Sequence, residues 1–203
     1  MKKQHPQSTA NELYEIADSQ QGYFTAAQAR SIGISDSAHP YHVRRGNWIR
    51  EWRGIYRLAR YPESNDSHLV LWALWSRNRQ GIVQGIYSHE TALRLFEISD
   101  VNPAKLHMTV PPNFRRTADI PKGLVLHEGI VEDTNCEQRH GYKVMKPLPT
   151  ILALIKEGLV SMEIIRQALK DGIDKGILIR RQILNFNIDT KIKDQLAGIL
   201  DRL

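Results

Sequence analysis

The chain has 203 residues, of which 41% are hydrophobic and 25% charged, with a formal net charge of +6; that suffices for one sizeable core or two small ones and excludes a disordered or fibrous chain. No apolar run approaches the roughly 18 residues a membrane span requires, and Lys2 and Lys3 have no hydrophobic stretch behind them that would make a signal peptide. Cys136, the single cysteine, excludes an internal disulfide and any multi-thiolate zinc site, so a soluble cytoplasmic protein is expected.

In chain order, residues 1–10 are polar and read as a flexible arm. Thr9 can cap a first helix with Leu13, Ile16 and Ala17 on one face, ending at Gly22. Tyr23 and Phe24 read as a short apolar strand. Thr25 then caps a second helix, Ala26 to about Ile32, and Gly33 supplies the turn after it. A third helix runs to about Arg45, with Gly46 as its stop. Pro40 is tolerated only in a first turn, where amides lack helical partners, which places the cap at Ser37 rather than Ser35. Trp48, Ile49, Trp52, Ile55, Tyr56 and Leu58 mix aromatic and β-branched residues around Arg53-Gly54, the pattern of a two-stranded ribbon. Three helices followed by a hairpin make a winged helix-turn-helix over residues 11–60.

The polar stretch 61–67 then reads as a linker, and 68–203 as a separate α+β domain ending in helices. Its expected elements are a helix over 68–79, a strand over Ile82–Tyr87 and a helix from Ser88 through Phe96. Strands follow at Lys105–Val110, Leu124–His127 and Tyr142–Met145. Thr150, Ser161 and Thr190 are the caps expected for three closing helices, stopped near Gly158, near Gly176 and at Arg202. The fold class is α+β.

Charge is unevenly spread. Between Arg30 and Arg60 seven arginines face only Asp36 and Glu51, so this segment holds +5 of the chain's +6. Such clustering is the electrostatic footprint of a polyanion partner, because nucleic-acid affinity rests largely on phosphate neutralisation and counterion release. The third helix offers Ser35 and Ser37 at its start, then His39, Tyr41, His42, Arg44 and Arg45. Ala38 and Val43 are left to face inward with Ile34. A recognition helix needs that split: an apolar side to dock and a polar side to enter the major groove of double-stranded DNA. Arg50, Arg53 and Arg57 on the hairpin would lie along the backbone or a minor groove. Thr25 would present backbone N–H groups to a phosphate from the start of the second helix. Trp48 and Trp52 fit closure of the small core better than base stacking.

Motifs for chemistry are missing. His89-Glu90 opens like a zinc-protease helix, but Leu93 stands where the second histidine belongs. His68, His107, His127 and His140 lack ligand spacing, so no metal site, no cofactor and no catalytic residue is read. Glu128, Glu132, Asp133 and Lys143 are the nearest approach to a nuclease set, and they have no motif spacing. The chain is not expected to be an enzyme.

Several segments resemble one known family. Tyr23-Phe-Thr-Ala-Ala-Gln-Ala-Arg-Ser-Ile-Gly-Ile-Ser35, then Val43-Arg-Arg-Gly46, then Arg53-Gly-Ile-Tyr-Arg57, are similar to the N-terminal winged helix of AbiEi-family antitoxins. Ser88-His-Glu-Thr-Ala-Leu-Arg-Leu95, Leu106-His-Met-Thr-Val-Pro111 and Pro147-Leu-Pro-Thr-Ile-Leu-Ala-Leu154 resemble its later segments in the same order, so the likeness spans roughly residues 11 to 180. His39 and Tyr41 stand where arginines are common in that family, and Pro40 interrupts its usually continuous basic helix. The resemblance implies the antitoxin of a type IV toxin–antitoxin pair, associated with abortive phage infection. Such a protein represses its own promoter at inverted repeats, and its C-terminal domain counteracts a nucleotidyltransferase toxin without a stable complex. A different class stays open: a solitary winged-helix regulator whose residues 68–203 form a protein- or RNA-interaction module.

Overall fold

The structure is a computed structural model and describes residues 6–116, 119–186 and 189–203. Residues 1–5 of the expected arm lie outside the described residues. The chain divides into two compact units, one of residues 1–85 with 138–142, the other of residues 86–137 with 143–203. The division falls at Gly85 rather than in the 61–67 stretch.

The first unit opens with α1 (Pro6–Asp18), β1 (Tyr23–Thr25) and α2 (Ala26–Ser31). The helix α1 starts three residues before the expected cap at Thr9, because a proline in the first turn forfeits no helical hydrogen bond. Its end is tied by the Gly22 amide, which donates to the Ala17 carbonyl at 2.7 Å. Gly22 has φ of +86°, and a Cβ there would strike the Tyr61 ring at 2.5 Å, so only glycine fits. Thr25 caps α2 as expected, in a reciprocal box: its hydroxyl accepts from the Gln28 amide, and the Gln28 side chain accepts from the Thr25 amide.

A 3₁₀ turn over Asp36–Ala38 leads into α3 (His39–Arg44), followed by β2 (Trp48–Trp52), β3 (Ile55–Leu58) and α4 (Ser67–Trp75). The three strands form one antiparallel sheet in the order β1-β3-β2, with Phe24 opposite Tyr56 and Trp48 opposite Leu58. Leu13, Ala17, Phe24, Ala29, Trp48 and Tyr56 make its core, with Ile16, Ile34, Val43 and Leu58 packed around them. All of these but Ile34, which lies in the loop after α2, come from the apolar face of a helix or strand legible in the sequence. The helix α4 is buried at Leu69, Val70, Ala73, Leu74 and Trp75, within the first unit.

The second unit carries β4 (Ile86–Tyr87), α5 (His89–Leu95), β5 (Leu106–Val110) and β6 (Leu124–Glu128), with β7 (Cys136–Arg139) and β8 (Tyr142–Met145), whose residues 138–142 are grouped with the first unit. Then come α6 (Pro147–Glu157), α7 (Met162–Asp174), α8 (Arg180–Asn185) and α9 (Thr190–Leu200). Its sheet has the order β6-β5-β4-β8-β7, with β5 antiparallel to β4 but parallel to β6. The strand expected over Ile82–Tyr87 shrinks to its last two residues, and β7 and α8 were not legible from pattern. Thr150 is not a cap: it sits fully buried in the first turn of α6, where its hydroxyl donates to the Met145 carbonyl. Ser161 does cap α7, whereas Asp189, not Thr190, caps α9. Ile151, Leu154, Ile165, Leu169, Leu178, Ile183 and Leu196 form the helical core. No helix among the described residues is long and apolar enough to cross a membrane.

Candidate nucleic-acid interface

Pro40 determines how the third helix presents its side chains. Because it occupies the first turn, α3 begins at His39 and the residues before it wind as a 3₁₀ turn. His39 and Val43, four apart, then share the inward face. His39 is 3% exposed and lies 5.3 Å from both the Trp48 and Tyr56 rings. Its Nε2 is buried with no hydrogen-bond partner among the described residues. His39 is therefore a core residue, which corrects the expectation that it reaches DNA. Tyr41, Arg44 and Arg45 face outward, and the Arg45 guanidinium rests 5.5 Å from the Tyr41 ring centroid. Ser35 and Ser37 are exposed at the start of this segment, their hydroxyls 2.8 Å apart.

His42 is half-buried and stacks on Trp48, with centroids 4.4 Å apart and planes at 14°. Burial, and then the neighbouring His39, lower its pKa below the ordinary 6.5. At neutral pH it is an uncharged edge of the aromatic core and not a cation for phosphate.

The hairpin β2–β3 turns through Arg53 and Gly54, with Gly54 at φ of +71° supplying the left-handed position. Its register shifts between Arg50 and Trp52. Arg50 and Arg53 are exposed. Arg57, on β3, is not: its side chain is 8% exposed, its Nε donates to Glu51 at 2.9 Å and its Nη2 to Glu63 at 2.6 Å. Burial works against its charge, but the hydrogen bond and charge of Glu51 and the charge of Glu63 outweigh it and raise the pKa. Arg57 thus stitches the wing to the segment after it, a correction to its expected contact with DNA.

Thr25 is also withdrawn. It is 2% exposed, and the amides of Thr25, Ala26 and Gln28 already donate to the Gln28 side chain, the Gly54 carbonyl and the Thr25 hydroxyl. A phosphate would have to displace those bonds. Arg30 is exposed but paired with Asp36 at 2.8 Å. Of the seven arginines of the basic segment, those without a carboxylate partner among the described residues are Arg44 and Arg45 on α3, Arg50 and Arg53 on the wing, and Arg60 after it.

Of the aromatic pair, Trp48 is 4% exposed and closes the core, edge-on to Phe24 at 4.8 Å. Trp52 is 39% exposed and packs edge-on against Trp72 of α4 at 5.2 Å. Among the carboxylates nearest to a nuclease set, Asp133 pairs with Lys143 at 2.7 Å on the surface, and Glu128 and Glu132 are exposed. Cys136 is buried, and burial raises its thiol pKa, the opposite of what a nucleophile needs.

An α-helical trio, a three-stranded antiparallel sheet and a cationic outward face on the third helix define a winged helix-turn-helix. Residues 11–59 match the family model described as "Transcriptional regulator, AbiEi antitoxin". A crystal structure of the RV2827C protein from Mycobacterium tuberculosis is similar in fold over 98% of this chain and 78% of its own length, with a TM-score of 0.55 and 12% identity. No curated protein matches this chain in sequence.

Proposed function

We propose that the protein is a DNA-binding transcriptional autorepressor and antitoxin of a type IV toxin–antitoxin system. In this reading residues 11–60 bind inverted repeats in the protein's own promoter, and residues 68–203 counteract a nucleotidyltransferase toxin without a lasting complex. The observation that carries the DNA half is the display of Tyr41, Arg44 and Arg45 on the exposed face of α3, with Arg50 and Arg53 exposed on the wing of the same unit. Arg44 and Arg45 fit guanine edges in the major groove, while Arg50 and Arg53 fit phosphates or a minor groove. Tyr41 fits a backbone or thymine-methyl contact. Ser35 and Ser37, exposed at the start of the same segment, fit a phosphate contact. The family match over residues 11–59 supports the same reading and extends it to antitoxin activity.

The test is promoter binding measured across a salt series. The full chain is expected to bind its upstream inverted repeats with an affinity that falls steeply with salt. Arg44→Ala and Arg45→Ala should each cost about 1–3 kcal/mol at a base they read. Unchanged affinity and unchanged salt slope in the double variant would remove α3 as the reading helix. Co-expression with a nucleotidyltransferase encoded beside this gene tests the antitoxin half: growth must be rescued by the chain and not by residues 1–85 alone.

A further inference from the structure

In the second unit the fold gathers side chains that the sequence keeps far apart. His89 opens α5, His107 lies on β5, His127 on β6, and Glu157 ends α6. The parallel register of β5 and β6 puts Thr109 opposite His127, so His107 and His127 point to one face two positions apart. The His89 and His127 rings stack with centroids 3.6 Å apart and planes at 15°. Both rings turn a nitrogen to one carboxylate: His89 Nε2 is 3.1 Å from Glu157 Oε1, and His127 Nδ1 is 3.3 Å from Glu157 Oε2.

The outer nitrogens are engaged as well. His127 Nε2 lies 3.0 Å from His107 Nδ1, and His107 Nε2 lies 3.2 Å from Glu90 Oε2. His89 Nδ1 lies 2.8 Å from the Ser88 hydroxyl, which accepts from Thr109 Oγ1 at 2.8 Å. Ser88 and His89 are buried, while the Glu157 side chain is 40% exposed, so the cluster is closed on one side and reached from solvent at the carboxylate.

A proton count shows what this row lacks. From Glu90 through His107 and His127 to Glu157 there are three polar contacts. Ionised carboxylates only accept, and a neutral imidazole carries one proton. Two imidazoles therefore supply two protons for three contacts, and one lone pair is left facing another. His89 does not fill the gap, since its own contact falls on the other oxygen of Glu157. One further cation completes the row.

We infer that His89, His127 and Glu157 form a binding site for one divalent transition-metal ion of the zinc class. Two imidazole nitrogens and a carboxylate oxygen suit that class. The three ligand atoms lie within 4.8 Å of one another. The two separations to Glu157, 3.1 and 3.3 Å, are close to the edge of about 3.3 Å for a tetrahedron with bonds near 2.0–2.1 Å. Ligation by both imidazoles requires the two rings, stacked with planes at 15°, to turn about the soft χ2 until their in-plane lone pairs converge. With a metal on His127 Nδ1 and His89 Nε2, each remaining imidazole N–H has an acceptor. His127 Nε2–H donates to His107, His107 Nε2–H to Glu90, and His89 Nδ1–H to Ser88. This is the outer support that metal-bound histidines usually have. Glu157 also ends an 11-residue helix, where a carboxylate meets the negative end of the helix dipole and a bound cation relieves the repulsion. Three protein ligands leave the fourth position open toward solvent for water or an anionic ligand.

The test uses the full chain, stripped with chelator and titrated with zinc chloride by calorimetry, with the metal content of the isolated product measured separately. One zinc per chain is expected, with a rise in melting temperature. Cobalt in its place should give the intense visible absorption of a four-coordinate site. His127→Asn and Glu157→Gln should each weaken zinc binding at least tenfold, and His107→Asn by a smaller factor. His68→Asn, at an exposed histidine of the first unit, should leave it unchanged. Glu157→Gln is exposed enough to fold, and a circular dichroism spectrum and cooperative unfolding transition matching those of the metal-free unaltered chain serve as the check that it has. If the chain binds no zinc, or if His127→Asn and Glu157→Gln bind it as the unaltered chain does, the site is refuted. Neither result bears on the DNA-binding reading.

Discussion

The two units use ionisable residues in opposite ways. In the first, Arg44, Arg45, Arg50 and Arg53 are exposed and lack acidic partners among the described residues. In the second, His89, His107, His127, Glu90 and Glu157 turn on one another, with the imidazoles largely out of solvent. Exposed cations act through long-range, salt-screened attraction and tolerate imprecise geometry. A packed polar cluster acts over a bond length and depends on each neighbour's position. The exposed cations of the first unit suit a large polyanion, and the packed cluster of the second suits something small.

Within the first unit the same contrast separates arginines that hold the fold from those that face outward. The largest effect should come from its aromatic centre. Trp48→Ala removes the ring between Phe24, His42 and Tyr56 and should cost about 3–5 kcal/mol, read by chemical denaturation. DNA binding should fall with it, as the stack also seats α3.

Arg57→Ala comes next. It strands Glu51, whose side chain is 25% exposed, and should cost about 2–3 kcal/mol of stability. Measured where the variant is fully folded, the salt slope of promoter binding should not change. A reduced slope would mean that Arg57 leaves its acids to meet a phosphate, and the division between structural and outward arginines would fail. Arg50→Ala and Arg53→Ala should do the reverse. Each should flatten the slope by about 0.9 for every phosphate it leaves unneutralised, with stability held within about 0.5 kcal/mol.

The smallest effect concerns His42. Its folded pKa lies below the unfolded 6.5, so in the window between the two values the unfolded chain binds more protons than the folded one. Stability is therefore full above about 6.5 and declines as pH falls through that window. Proton NMR of the His42 ring should show a midpoint below 6.5, and His42→Gln should reduce the pH dependence of unfolding. A midpoint above about 7 would make His42 mainly a cation at neutral pH and return it to the DNA-facing set.

Much of the first unit was legible because its signals are local. Thr25 and Gln28 lie within one turn, and Arg53-Gly54 marks a two-residue hairpin. The basic footprint and the apolar faces of α1 and α3 need only nearest-neighbour spacing. His39 was misplaced because one residue of uncertainty about where α3 starts rotates every side chain by about 100°. Arg57 was misplaced because strand alternation says which face a residue is on, and not that Glu63 returns across it.

The histidine cluster shows where sequence reading ends. Histidines 89, 107 and 127 are separated by a helix, a loop and a parallel strand pairing, and their meeting depends on the register of β5 against β6. Parallel strands require long connections, so no short spacing records that register. The sequence by itself determined the winged helix, its cationic surface and the α+β character of the rest, because capping, periodicity and charge act over a few residues. Tertiary structure alone decided which arginines are neutralised, that His39 is core, and that three histidines and Glu157 share one site. Those outcomes depend on burial and on contacts between distant segments, which are properties of the packed chain.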